Sequence, residues 1–215
     1  WVLILLEELA EIIGIMLGDG NIYVSPADRL YLARICGDLH SDREYLLTHV
    51  KPLFERVFGL CMCVYEYRAK NELFLYKSGK WLVDLLNFLG LPHGDKIKNN
   101  VGIPKWIIRN PALLRACIRG LVDTDGSVYP KTPLHPAPSI WFKSAIPNLR
   151  ETFRSGLLKL GFHPTKWGRA PSWSKNVMQC SLGRAEEVTR YYFEIGFNNP
   201  KHDKRFREFI SAPVV

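Results

Sequence analysis

The chain carries one nine-residue pattern twice, and this repeat restricts the folds open to it. The first copy, IIGIMLGDG, spans residues 12–20, and the second copy, IRGLVDTDG, spans residues 118–126. Both copies begin with Ile, have Gly at the third position, continue with apolar residues and close on Asp-Gly. A repeat at this distance predicts two similar structural units in one chain.

The segments after each copy repeat as well. Each copy is followed by two stretches of helical apolar pattern, and each stretch ends at a glycine. These glycines are Gly59 and Gly90 in the first half, and Gly161 and Gly196 in the second. Glycine suits the C-terminal cap of a helix, because the left-handed conformation needed there costs it least. The sequence therefore predicts two equivalent helices in each half.

Alternating apolar patterns between these helices predict β-strands. They fall at residues 29–35, 63–68 and 72–76 in the first half, and at 139–142 and 177–182 in the second. Each half then has the order helix, strand pair, helix, strand pair, helix, an α+β unit. We expect a first half over 1–102, a connecting segment over 103–116 and a second half over 117–215. Proline-rich residues 130–138 are expected to form an extended loop.

The charge and the apolar content narrow the function classes. Lys and Arg number 29 against 21 Asp and Glu, a net charge of +8, which favours a polyanionic partner, most often nucleic acid. No apolar run is long enough for a transmembrane helix, and no signal-peptide pattern begins the chain. Five scattered cysteines are typical of reduced thiols in an intracellular protein.

The repeated motif also places two carboxylates. Gly14 and Gly18 share one helix face, as do Gly120 and Thr124, and small residues at this spacing let two helices approach closely. Packing of the two copies about a pseudo-twofold axis would bring Asp19 and Asp125 together at helix C-termini, where negative charge needs a cation.

Hard oxygen ligands in such a field suit Mg²⁺. A single Asp-Gly pair is usually a turn, but two copies at matching positions favour a functional site. Zinc is not expected, since the Cys61-Met-Cys63 pair has no second ligand pair near it.

Both copies resemble the signature of the LAGLIDADG homing endonucleases. The second copy follows the signature closely, whereas the first has Leu17 in place of its earlier Asp and keeps Asp19 at the later one. The resemblance spans nearly the whole chain. It implies the monomeric, two-motif form with a duplicated αββαββα fold, in which two saddle-shaped antiparallel sheets lie over the DNA major groove.

The resemblance also implies an activity. The expected protein is an intron-encoded, site-specific endonuclease that hydrolyses phosphodiesters on both strands of a long asymmetric DNA target and needs no protein partner. Asp19 and Asp125 would be catalytic metal ligands, with the carbonyls of Gly18 and Thr124 as further ligands. Two or three Mg²⁺ ions are expected, with Mn²⁺ able to replace them and Ca²⁺ binding without efficient cleavage. The compartment would be the cytoplasm of a prokaryote or archaeon, or a eukaryotic organelle.

Family members place basic side chains around the carboxylates, and two lysines fit this expectation. Lys143 and Lys77 each follow a predicted strand and could polarise water or balance charge. Their expected counterparts in the other half, Asp38 and Ser181, are not lysines, so the two halves of the site would be chemically unequal.

Candidate DNA contacts are the long polar and aromatic side chains on the predicted strands. Arg and Gln can contact base edges in pairs of hydrogen bonds, whereas Lys more often neutralises phosphate; a solvated face is the competing interpretation. The candidates are Arg29, Tyr31, Arg34, Arg68 and Lys70 in the first half, and Lys166, Arg169, Trp173, Lys175 and Gln179 in the second.

Two other functions remain open for the same fold. One is an RNA-splicing maturase, and the other is a DNA-binding regulator without catalysis. The presence of both Asp19 and Asp125 favours an active nuclease over either.

Overall fold

The computed structural model describes residues 2–132, 135–171 and 176–211. The first half begins with the motif helix and contains two strand pairs separated by helical segments. Its elements are α1 (Val2–Gly18), β1 (Gly20–Ser25), β2 (Leu30–Asp38), α2 (Arg43–Tyr45), a π-helical turn (Leu46–Val50), α3 (Lys51–Phe58), β3 (Cys63–Tyr67), β4 (Glu72–Ser78) and α4 (Lys80–Phe88).

The second half repeats this order after a short helix. Its elements are α5 (Lys105–Ile108), α6 (Pro111–Asp125), β5 (Gly126–Thr132), β6 (His135–Ser144), α7 (Pro147–Lys159), β7 (Gly168–Arg169), β8 (Met178–Leu182), α8 (Ala185–Glu194) and α9 (Pro200–Ser211). The strand orders β1-β2-β4-β3 and β5-β6-β8-β7 are the same in the two antiparallel sheets. The expected duplicated α+β fold is confirmed.

The structure differs from the sequence-based boundaries in two places. Helix α6 begins at Pro111, inside the segment expected to connect the halves, because Asn110 caps it by accepting a hydrogen bond from Ala112 N at 2.9 Å.

The expected loop over 130–138 was wrong: Pro130 pairs with Pro138 in the β5–β6 hairpin, next to a register shift. Strand β5 is a sheet edge, where a missing N–H is tolerated.

Helices α1 and α6 form the interface between the halves. A Cβ atom added at Gly14 would overlap the carbonyl oxygen of Cys117, and one added at Gly120 would overlap the carbonyl oxygen of Glu11. The contact is therefore reciprocal, with each helix pressing its backbone into the glycine of the other. Only glycine permits this separation.

A buried carboxylate crosses the same interface. Glu11 on α1 accepts hydrogen bonds from Arg119 on α6 at 2.5 Å, from His49 at 2.6 Å and from Asn198 at 2.7 Å. Burial alone would raise its pKa, but the bond from His49 and the charge of Arg119 hold the pKa at about 2. Because Arg119 and Asn198 belong to the second half, this network ties the halves together by charge and by hydrogen bonding.

Each sheet buries one face against helices and leaves the other open. Ala33, Ile35, Leu73 and Leu75 alternate along β2 and β4 on the buried side of the first sheet. Among the residues that the structure describes, no helix is both long enough and apolar enough to cross a bilayer.

We expect Gly14→Ala to destabilise the fold, because the new methyl group forces the two helices apart. Overpacking of this kind costs about 1–3 kcal/mol of the free energy of unfolding, which chemical denaturation would measure. Gly168→Ala is the matched control, since no atom lies within 4 Å of its added Cβ. Equal effects of the two substitutions would contradict the close helix packing.

Candidate active site

Two carboxylates meet at the end of the paired helices. Asp19 directly follows α1, and Asp125 is the last residue of α6. At this end Gly18 faces helix α6. A Cβ atom added to Gly18 would overlap Thr124 Oγ1 and lie 3.5 Å from Asp125 Oδ2. The reciprocal glycine packing therefore delivers both carboxylates, and the carbonyl groups that precede them, to one place.

The surroundings of the two carboxylates disfavour negative charge. Burial raises the pKa of Asp19 to about 7, and the charges of Asp125 and Asp42 add to the shift. Burial likewise raises the pKa of Asp125 to about 6. Solvent still reaches Asp125 from one side, which limits the size of its shift but not the direction. A bound cation would relieve this repulsion.

The donors at this site fit a hard divalent cation. Two carboxylates lie beside the carbonyls of Gly18 and Thr124, and Mg²⁺ binds few carboxylates and completes its shell with water and phosphate oxygens. Among the described residues, no three His, Cys, Asp or Glu side chains gather as a metal-binding group. Two carboxylates with neighbouring carbonyls could therefore hold a divalent cation whose remaining ligands are water or phosphate oxygens.

Lys96 completes the site and was missed by the sequence analysis. Its Nζ donates to the carbonyl of Leu17 at 2.9 Å and to the carbonyl of Gly18. Burial lowers the pKa of Lys96, while the charges of Asp125 and Asp19 oppose that shift. At the end of α6, Asn199 Nδ2 donates to the carbonyl of Asp123 at 2.8 Å instead. Lys96 lies in a polar loop with no helical or strand pattern, so no local signal marked it.

The structure treats the two predicted lysines differently. Lys143 lines a small cavity together with Asp125, Lys96 and Gly18. Lys77 pairs with Ala33 and follows the alternation of buried Leu73 and Leu75, so the register sends it to the helix-packed side of the sheet. The structure therefore brings Lys143, and not Lys77, to the carboxylates.

Strand register also identifies the residue of the first half that is equivalent to Lys143. Gly20 pairs with Ile35 and Gly126 pairs with Phe142, so Cys36 holds the position that Lys143 holds in the second half. Cys36 N donates to the carbonyl of Asp19 at 3.1 Å. The sequence analysis had placed Asp38 at this position, which was wrong by two residues. The two halves of the site remain chemically unequal.

The candidate DNA contacts of the first half divide between faces and turns. Arg34 lies on the open face of the first sheet, in the same groove as Asp19. Tyr31 is instead in phase with the buried residues of β2, and Lys80 Nζ lies 5.6 Å from the centroid of its ring. Arg29 lies in the exposed β1–β2 turn. Arg68 and Lys70 lie in the exposed turn between β3 and β4.

In the second half, Gln179 pairs with Lys143 on β6 and shares its open face. Arg169 pairs with Met178 and therefore lies on the other face, and Lys166 is exposed just before β7. Trp173 and Lys175 lie outside the described residues.

The repeated fold places one four-stranded antiparallel sheet in each half, and Asp19 and Asp125 meet where the two motif helices end. Residues 112–196 match the family model for a LAGLIDADG-like domain, so the second half belongs to this family. The whole chain has the fold of the single-chain homing endonucleases. A structure of I-DmoI in complex with DNA and Ca aligns with a TM-score of 0.69 at 15% identity, over 95% of this chain and 97% of that one.

The chain is also similar to a second solved structure and to two curated proteins. The LAGLIDADG meganuclease I-AabMI bound to uncleaved DNA aligns with a TM-score of 0.57 at 12% identity, over 94% of this chain and 88% of that one. The replication factor C small subunit of Methanocaldococcus jannaschii is 30% identical over 122 residues, which are 55% of this chain. The tRNA-splicing ligase RtcB of Pyrococcus furiosus is 32% identical over 135 residues, 56% of this chain. The chain spans only 7% and 13% of the lengths of these two relatives.

We expect Asp19→Asn to stabilise the metal-free protein at high pH. The pKa of an unperturbed Asp is 3.8, whereas that of Asp19 in the folded chain is about 7. Because the folded state binds this proton more tightly than the unfolded state does, the free energy of unfolding decreases as the pH rises from about 4 toward about 7. The variant should then melt a few degrees above the wild type at pH 8 and level with it near pH 4. Thermal denaturation with chelator measures both values.

Added Mg²⁺ should stabilise the wild type at pH 8 and not the variant, because the cation needs the ionised carboxylate. The exposed turn residue Asp28 supplies the control, since Asp28→Asn removes a charge far from the paired helices. A melting temperature of Asp19→Asn below the wild type at pH 8 would contradict the crowding of carboxylates.

Proposed function

We propose that this chain is a site-specific endonuclease that cuts both strands of duplex DNA with divalent metal. The observation that carries the proposal is the pair of carboxylates, Asp19 and Asp125, that meet at the junction of two open sheet faces. Support comes from the net charge of +8 and from neighbours of the same fold described with DNA and Mn, with DNA and Ca, and with target DNA and Mg.

The residues of the chain have separable roles in this proposal. The open faces of the two sheets bind the duplex and fix its register on the protein. Asp19 and Asp125, with the carbonyl of Thr124, would hold the metal ions, which when bound activate water and stabilise charge on the phosphate. The Gly18 carbonyl already accepts a hydrogen bond from Lys96, so it could join them only where that bond is given up. Lys96 and Lys143 supply positive charge beside the carboxylates, where negative charge increases as the phosphodiester is attacked.

The unequal halves should treat the two DNA strands unequally. Lys143 stands near Asp125, whereas Cys36 holds the matching position near Asp19. A thiol cannot supply the positive charge of an ammonium group at neutral pH. The two strands are therefore expected to be cut at different rates. The biological role that follows from double-strand cutting at one long site is intron homing, in which the break directs copying of the encoding DNA.

A cleavage selection tests this proposal. The purified chain is incubated with randomised duplex DNA and Mg²⁺, and the newly formed ends are sequenced. Enrichment of one long asymmetric site with paired 3′ overhangs is the expected result. Folded protein that cuts nothing would contradict the proposal and favour the maturase or the regulator.

Asp19→Asn and Asp125→Asn should each abolish double-strand cleavage of the selected site and leave folding and most of the DNA affinity intact. The reason is the loss of one of the two charged carboxylates that meet at the ends of the paired helices. Gel assays of cleavage and of binding in Ca²⁺ separate the two effects. Asp28→Asn is the control, and full cleavage by either active-site variant would show that other carboxylates hold the metal.

Lys143→Met should lower the single-turnover cleavage rate of one strand by about 10²-fold, the usual effect of removing one charge-stabilising group. Lys77→Met is the matched control, because Lys77 lies on the helix-packed side of its sheet and should leave the rate nearly unchanged. Duplexes that carry a label at the 5′ end of one strand or of the other report the two strands separately. A larger effect at Lys77 would reverse the assignment.

A further inference from the structure

The open face of the first sheet is unusually rich in aromatic side chains. Strand register puts five apolar or aromatic residues on the same face as Arg34, in a groove of about 710 Å³ that reaches Asp19. They are Leu32, Tyr65, Tyr67, Phe74 and Tyr76. Tyr65 has 54% of its surface exposed, although an aromatic ring gains free energy when it is covered.

The matching face of the second sheet is different. Register there aligns Ser127 with Trp141 and Ser181, and Lys143 with Gln179. Hydroxyl, amide and amine groups, which recognise donors and acceptors, lie there beside two aromatic residues, Trp141 and Tyr129. The two halves therefore offer different chemistry to whatever lies across both sheets.

We propose that the first half selects thymine-rich DNA by contacting thymine methyl groups. Resting on the proposed function, this inference takes duplex DNA as the ligand, because the groove is continuous with Asp19 and is edged by the cations Arg34 and Lys70. The C5-methyl group of thymine is the only apolar feature that a base pair presents in the major groove. The aromatic rings of this face can cover such a methyl group, while Arg34, Glu72 and the tyrosine hydroxyls remain available for donors and acceptors on the base edges.

The position of the aromatic face indicates which base pairs it contacts. Strand β1 follows Asp19 directly, whereas β3 is the far edge of the same sheet. Tyr65 and Tyr67 lie on β3, so they contact base pairs at the outer end of the half-site, away from the cleaved bonds. Thymine selection is therefore expected several base pairs from the cut.

The ring arrangement favours duplex over unpaired bases. Recognition of single-stranded RNA or DNA needs free ring faces on which bases stack. Arg34 lies over the Phe74 ring at 5.5 Å and Lys70 over the Tyr67 ring at 5.3 Å, while Tyr65 and Phe74 stack at 6.3 Å. Some of the ring faces on which unpaired bases would stack are therefore already covered by other side chains.

Binding to thymine-free analogues tests the proposal. The full chain in Ca²⁺ selects its bound sequence from randomised duplex DNA, and each thymine of the selected site is then replaced by deoxyuridine, which lacks only the methyl group. A buried methyl is worth about 0.8 kcal/mol, so each replacement in one half-site should weaken binding about fourfold. Replacements in the other half-site should have little effect.

Two variants assign the effect to the aromatic face. Tyr65→Ser should abolish the difference between thymine and deoxyuridine at the outer positions. Val64→Ser is the matched control, because Val64 lies next to Tyr65 on β3, is 41% exposed and points to the opposite face. This variant should keep the difference between thymine and deoxyuridine.

Each other result has a distinct meaning. A selected site without thymine in either outer part, or one indifferent to deoxyuridine, overturns this inference while leaving the endonuclease proposal intact. Stronger loss of single-stranded RNA binding than of duplex binding in Tyr65→Ser overturns it in favour of base stacking. Failure to select any duplex sequence overturns the inference and the proposed function together.

Discussion

The close packing of α1 against α6 is the contact on which the rest of the structure depends. Gly14 and Gly120 each receive the backbone of the opposite helix, and no larger residue fits at that separation. This single contact joins the two halves, sets their relative position and brings the C-terminal ends of both helices together. The site therefore exists only as a consequence of the interface.

The interface combines opposite electrostatic situations within a few helical turns. Glu11 is buried but fully compensated by Arg119, His49 and Asn198, so it stabilises the contact between the halves as an ion. Asp19 and Asp125 are crowded with too little compensation, so they destabilise the folded chain when ionised. The proposed function gives this difference a reason, because a metal ion and a phosphate could complete an uncompensated carboxylate pair.

Duplication supplies the plan of the molecule, and the differences between the copies supply its specificity. The same strand order in both sheets places Cys36 and Lys143 at equivalent positions, with different chemistry at each. Likewise, the charged Lys96 donates to a carbonyl at the end of α1, and the neutral Asn199 donates to the equivalent carbonyl at the end of α6. A pseudo-symmetric frame can thus bind an asymmetric target, because each half is free to change its side chains.

The sequence by itself determined the repeat, the α+β class and the carboxylate pair, because glycine spacing and apolar periodicity are local properties. It also placed most strands within a few residues. It did not determine the face on which a side chain lies, since one residue of register reverses that face; Lys77 and Tyr31 pack toward helices for this reason. Lys96 shows the remaining limit: its role comes from contacts with Leu17 and Gly18, 79 and 78 residues away in sequence, which only the tertiary structure brings together.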